Sequence, residues 1–150
     1  DVKNKFELVI VGDGEELINI KRISKELLID DFINFVGRVP YDDLGRYFSN
    51  ADVFINATLG DYRALVGFEA LSQGLPLIYS KFDGAFSEVV QPQENGFIID
   101  PNNVQEITDS LKFFIDNPSK IVEFSKISKK ISLKYSFDAI INNWHKIVSL

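Results

Sequence analysis

The chain has no cysteine and no methionine, and a single histidine, His145. Without thiols, disulfide scaffolds, thiolate metal sites and cysteine nucleophiles are all excluded. The same absence fits a reducing compartment, and the expected location is cytoplasmic. One histidine rules out a multi-histidine metal centre or a histidine-rich base network. There is no Asp-x-Asp pattern either, so no metal cofactor is expected. Basic residues are the minority, 16 against 22 acids, for a net charge of −6. Attraction of the whole domain to nucleic acid is thereby excluded. No apolar run approaches the ~18 residues that a membrane-spanning helix needs. The longest, such as residues 6–11, are strand-sized. No signal peptide stands in front of that run and no initiator methionine is present, so the chain reads as a fragment of a longer protein.

What is there describes a folded domain. Hydrophobic residues make up 45% of the 150 and charged residues 25%, which is globular rather than disordered composition. That length fits one domain, burying roughly 70% of the surface its unfolded form exposes. Short apolar runs alternate with helical spacing. Residues 6–11, 32–36, 52–56, 76–79 and 97–99 read as buried strands. Between them, Leu17, Ile20, Ile23 and Leu27 share a helix face, as do Leu44, Tyr47 and Phe48 after Pro40. Residues 64–72 read as a helix closed by Gly74. The last third is helical, with apolar stripes in residues 104–115 and 121–131 and from Phe137 to Val148, the last capped by Ser136. The alternation predicts an α/β domain with a parallel sheet flanked by helices. Ligands of such sheets sit beyond the carboxyl ends of the strands. Residues 12–14, 37–38, 56–62 and 80–84 then share one functional edge.

Two stretches on that edge could carry chemistry. Gly12-Asp13-Gly14 after a buried strand lets the backbone turn tightly and approach a phosphate. The third glycine of a dinucleotide fingerprint is replaced by Leu17, so a nicotinamide site is disfavoured and a plain tight turn explains the pair. The stretch from Gly60 to Leu71 leads from a strand end into a helix. Amides at the helix start, near residues 64–66, are free to bind an anion. Glu69, a turn further in, could accept hydrogen bonds from paired hydroxyls, and Arg63 could contact a phosphate. The ordinary readings are an N-terminal helix charge for Asp61 and a solvated helix face for Glu69.

Several pieces then fall in a recognisable order. They are Val9-Ile10-Val11-Gly12-Asp13-Gly14, Phe35-Val36-Gly37-Arg38-Val39-Pro40 and Ala51-Asp52-Val53-Phe54-Ile55. Next come residues 68–76 (FEALSQGLP), Asp83-Gly84 followed by Glu88, and Asn95-Gly96-Phe97. Together they resemble the C-terminal, donor-binding half of a GT-B-fold retaining glycosyltransferase of the family 4 type (glycosyl transferases group 1). The resemblance covers residues 6 to about 144. It implies a Rossmann-like sheet, with residues 1–150 forming a nucleotide-sugar donor-binding domain and the N-terminal acceptor domain absent. The implied activity is transfer of a sugar from a nucleoside diphosphate to a hydroxyl acceptor in polysaccharide or glycolipid assembly. The acceptor, a glycan or lipid-linked glycan, would reach the missing domain.

Site roles follow from the resemblance residue by residue. Glu69 aligns with the acid that holds the ribose hydroxyls, and Asp61 with the acid that faces the donor sugar; these two are the catalytic candidates. Backbone at Leu65 and Val66 would receive the distal phosphate, Val36 and Arg38 would flank the base, and Gly12 would let the chain pass close to the donor. Asp61 stands where such enzymes carry Glu, and Arg63-Ala64 replaces Phe-Gly, which leaves Arg63 as an unassigned cation near the phosphates. The Arg and Lys that neutralise the departing diphosphate precede the Gly-Asp-Gly strand in the family and have no counterpart here, so the chain alone is expected to turn over little. Rival readings are a nucleotide-sugar epimerase of the same fold and a non-catalytic nucleotide-binding or interaction module.

Two further expectations concern the ends of the chain. Residues 119–150 hold six lysines against Glu123 and Asp138, a net +4. Such a helical tail suits peripheral contact with anionic lipid, although a solvated lysine face explains it too. With the usual sheet order 3-2-1-4-5-6, this chain starts at the second strand. The first and third of its own strands must then close up and pair, or the sheet splits, and Trp144 is expected to be exposed.

Overall fold

A computed structural model describes residues 6–148. Parallel strands alternate with helices, as the sequence predicts: β1 (Leu8–Val11), α1 (Leu17–Glu26), β2 (Ile33–Gly37), α2 (Tyr41–Ser49), β3 (Phe54–Asn56), α3 (Val66–Gln73), β4 (Leu77–Ser80), α4 (Phe86–Val89), β5 (Gly96–Ile99), α5 (Val104–Asp116), α6 (Pro118–Ser132) and α7 (Phe137–Val148). The strands pair as two sheets, β1-β2 and β3-β4-β5, and among the described residues no ladder joins β1 to β3. The chain divides accordingly into two compact units, one up to Gly45 and one from Arg46, with α2 running through the boundary.

In the first unit β1 and β2 pair in parallel, Leu8 with Ile33 through Ile10 with Phe35. Val11 then pairs with Gly37, so Val36 is left over as a bulge. The strand expected over residues 6–11 begins only at Leu8. Ser24 is the only residue of this unit, among those described, that is buried. Its Oγ donates back to the Lys21 carbonyl at 2.9 Å, a bond within its own helix. The apolar stripe of α1 is exposed at Ile20 and Ile23, and Leu27 at its cap is exposed too.

The second unit has a true core. Successive side chains of a strand point to opposite faces. Leu77 and Tyr79 accordingly join Ala70, Leu71, Val89 and Ile131 in one cluster, while Ile78 joins Ile99, Phe114 and Phe124 in another. Helices α3, α4 and α6 supply the first cluster, α5 and α6 the second. Central strand β4 pairs in parallel with β3 and β5 and is buried along its whole length. Phe97, Phe113, Phe114 and Phe124 pack edge-to-face or tilted, with centroids 5.0–6.1 Å apart. Helix α3 ends as predicted at Gly74, left-handed at φ 81°. It starts at Val66, two residues later than the expected 64. Helix α4 was not legible, since four residues are too few to show a period.

Helix α7 begins as expected at Ser136, whose Oγ accepts from the Ala139 amide at 3.3 Å. Its apolar stripe is exposed, including Trp144 at 63%. No helix among the described residues is long and apolar enough to cross a membrane.

Candidate functional site

The sequence-predicted residues divide between the units. Gly12, Val36 and Arg38 lie at the carboxyl ends of β1 and β2 in the first. The Gly12 amide donates to the Gly37 carbonyl at 2.8 Å, which carries the pairing one step past the bulge. Open space lies where a Cβ on Gly12 would stand. Val36 is half-buried and Arg38 exposed.

Asp61, Arg63 and Leu65 belong to the second unit, on the connection from β3 into α3, and Val66 and Glu69 to the first turn of α3. That connection is anchored by Asp83, which follows β4 and is fully buried. One of its oxygens accepts from Asn56 Nδ2 and from Tyr79 Oη, each at 2.9 Å. The other accepts the Ala85 amide at 2.8 Å and the Ala64 amide at 3.4 Å. Four donors compensate a charge that would otherwise be costly to bury. Burial, above all, raises the Tyr79 phenol over its ordinary value; a hydrogen bond with Asn56 opposes the rise and the Asp83 carboxylate adds to it. Tyr79 therefore stays a neutral donor.

Backbone bonds complete the anchor. Asp61 donates to the Phe82 carbonyl at 3.3 Å and accepts from the Gly84 amide at 2.9 Å. The approach is so close that a Cβ on Gly84 would lie 1.9 Å from the Tyr62 carbonyl oxygen. One on Gly67 would lie 2.5 Å from Tyr79 Oη. Only glycine fits either place without a shift.

These constraints hold Asp61 at the surface. Its Oδ1 accepts the Arg63 amide at 2.9 Å, closing a short turn. Asp61 and Arg63 line one open cleft of about 420 Å³, together with Tyr62, Lys81, Phe82 and Glu88. The cleft lies past the carboxyl ends of β3 and β4, where ligands of parallel sheets bind. A smaller recess of about 130 Å³, lined by Asp52, Leu75 and Pro76, lies at the opposite, amino ends of the same strands.

Arg63 is not a loose cation. Its Nε and Nη2 donate to the two Glu88 oxygens at 2.9 and 2.8 Å, and its guanidinium lies 4.4 Å from the Phe68 ring centroid. The Arg63 hydrogen bonds hold the Glu88 carboxyl below the usual carboxylate range. Lys81 is 2.8 Å from Asp100 Oδ2, and the two shift in opposite senses, the lysine up and the acid down.

Of the amides expected to be free, that of Ala64 is taken by Asp83. Leu65, at the cap of α3, is exposed, and Val66 opens the helix. Neither amide has an acceptor among the described residues. Half-buried Glu69 lies in the first turn of the same helix. Sequence reasoning missed Asp83 as the organiser, although a tyrosine at the end of an apolar run requires a polar partner for its hydroxyl when buried. Among the described residues no cluster of three His, Cys, Asp or Glu could hold a metal ion.

With this geometry in hand, known proteins are informative. The sequence profile described as glycosyl transferases group 1 matches residues 1–131. A glycosyltransferase of Haemophilus influenzae, itself uncharacterized, is 32% identical over 143 residues, 95% of this chain and 40% of that protein. The alpha-monoglucosyldiacylglycerol synthase of Acholeplasma laidlawii is 33% identical over 132 residues, 84% of this chain and 31% of that one. Among solved structures, Anabaena HepE in complex with UDP superposes with a TM-score of 0.79 at 21% identity, covering 97% of this chain and 41% of that one. The chain thus spans well under half the length of these proteins.

Proposed function

The chain belongs to the glycosyl transferases group 1 family, and from that premise we propose that it is the donor-binding part of a retaining GT-B glycosyltransferase. The protein that carries it transfers a sugar from a nucleoside diphosphate to a hydroxyl of a glycan or glycolipid. The carrying observation is one arrangement in the second unit. Asp61 is held at the mouth of a cleft beyond β3 and β4, on the same connection as the acceptor-free amides of Leu65 and Val66.

Each group has a role suited to its chemistry. The Leu65 and Val66 amides, at the positive end of α3, receive the distal phosphate. Glu69 accepts hydrogen bonds from the ribose hydroxyls. Asp61 accepts from hydroxyls of the donor sugar and holds it for transfer, which needs positioning rather than a covalent step by this residue. For the first unit the proposal is separate: Val36 and Arg38 flank a base, and Gly12 allows close passage of the donor. No metal cofactor is part of the scheme. The solved complex of HepE with UDP makes UDP the first nucleotide to test.

Glu69→Gln in the full-length protein tests the central assignment. Removing a charged acceptor costs about 1.5–3 kcal/mol, so calorimetry should show nucleoside diphosphate affinity falling at least about tenfold. Unchanged affinity removes Glu69 from the site. Leu65→Pro removes one amide, and diphosphate affinity that survives in a folded variant would strike it from the phosphate contacts. Turnover of a nucleotide sugar with acceptor separates a transferase from a binding module. Peripheral membrane contact is proposed for α7 and the lysines before it, since Phe137, Trp144 and Ile147 are exposed. Cosedimentation with anionic vesicles that is unaffected by Trp144→Ser would reject it.

A further inference from the structure

The walls of the Asp61 cleft carry an unequal set of charges. Two cations line it, Arg63 and Lys81, and each is already paired. Glu88 grips Arg63 through two hydrogen bonds, at 2.9 and 2.8 Å, and Asp100 holds Lys81 at 2.8 Å. Both are also settled over aromatic rings, Arg63 over Phe68 at 4.4 Å and Lys81 over Phe82 at 5.1 Å. The acids are treated differently. Buried Asp83 is satisfied by four donors. Asp61 has the Arg63 amide on one oxygen, no hydrogen bond on the other, and no ion-pair partner among the described residues. The cleft therefore presents an aspartate with one oxygen unengaged, beside two cations that are each held by an acid.

We propose that this cleft selects an uncharged sugar over an acidic one, and that Glu88 and Asp100 are the residues that set this choice by neutralising Arg63 and Lys81. The inference rests on the reading of the cleft as the sugar end of a nucleotide-sugar site. Asp61 accepts from sugar hydroxyls, and the N–H groups of Arg63 not engaged by Glu88 donate to them. A uronic acid would bring a second carboxylate towards Asp61 with no charge to compensate it, and like charges at close range repel. Tyr62, almost fully exposed, and Phe82 add apolar surface for the faces of a neutral ring. Arg63 would favour an acidic sugar if it were released, because a guanidinium matches a carboxylate in geometry as well as in charge.

The test uses the full-length protein and matched donors that differ only at C6. These are UDP-glucose against UDP-glucuronate, or GDP-mannose against GDP-mannuronate if the guanine nucleotide binds instead. The wild type should bind the neutral donor about tenfold or more tightly than the acidic one, a difference of about 1.4 kcal/mol. The preference should shrink with added salt. E88Q should narrow or invert the ratio, and D100N should move it in the same direction by less, with the affinity for UDP or GDP alone measured beside each. D100N provides the same readout if E88Q does not fold. A wild type that binds both donors equally, or a ratio unmoved by both substitutions while the bare nucleotide still binds, overturns this proposal alone. Failure of UDP, GDP and ADP alike to bind overturns the donor reading and this proposal with it.

Discussion

Strand β1 reads Leu-Val-Ile-Val and strand β4 reads Leu-Ile-Tyr-Ser. The first is the more hydrophobic, yet the second is the one that is buried. Val9 keeps 44% of its surface, while Leu77, Ile78, Tyr79 and Ser80 keep none. The difference is one of neighbours. β4 has a strand on either side and clusters on both faces, whereas β1, among the described residues, pairs with β2 alone. An apolar letter is thus a capacity for burial, and the fold around it decides whether that capacity is used. The first unit has the right letters, with Ile18, Ile20 and Ile23 on α1 and Leu27 at its cap, and leaves each of them exposed.

The contrast can be broken by measurement, and the largest effect is expected in β4. Leu77→Ala should cost about 2–5 kcal/mol in chemical denaturation, as large-to-small changes in packed cores do. Val9→Ala should cost well under half of that, and equal costs would dissolve the distinction between the units. Gly84→Ala comes next, at about 1–3 kcal/mol for overpacking or more, because the new methyl meets backbone rather than a flexible side chain. Asp83→Asn should follow at about 1.5–3 kcal/mol through loss of charged hydrogen bonds.

Smaller effects sharpen the same comparison. Ser24→Ala, at the one buried position described in the first unit, should cost about 1 kcal/mol or less, since its bond is local to α1. Amide exchange should be slowest in β4 and fast throughout β1. The smallest signal is acid titration of the Arg63–Glu88 pair. Glu88 has its pKa lowered, so the pair contributes fully above the unfolded carboxylate value of ~4.3 and is lost as pH falls through the lowered one. A Glu88 carboxyl that titrates at or above that value by NMR would show the pair to be open in solution.

Much of this was legible before any coordinates. Alternating apolar runs announced the parallel α/β order, and Gly74 and Ser136 marked helix ends correctly. The likeness in motif order supplied the family. Asp61 and Arg63 were placed together past a strand end, and they do line one cleft. The rest was hidden for physical reasons. Partners distant in sequence cannot be read from local spacing, and Arg63 to Glu88 spans 25 residues, Asn56 to Asp83 27. Arg63 looked like a spare cation because its acid lies on α4, a helix too short to announce itself. Ala64 looked like a free amide because the carboxylate that takes it comes from after the next strand.

The four-donor knot around Asp83 has a consequence for how such a sequence can drift. Tyr79 cannot become phenylalanine without stripping one donor from a buried charge. Phenylalanine there would not admit an alanine at position 67 either, because a Cβ at Gly67 also meets the Tyr79 ring carbons at 2.9 Å. Asn56 is tied to the same carboxylate oxygen, so replacing it shifts the whole demand onto Tyr79. Positions 56, 67, 79 and 83 must therefore change as a set or not at all. Across descendants of this chain they should be inherited together, while Arg63 and Glu88, joined at the surface, are tied to each other and not to this set.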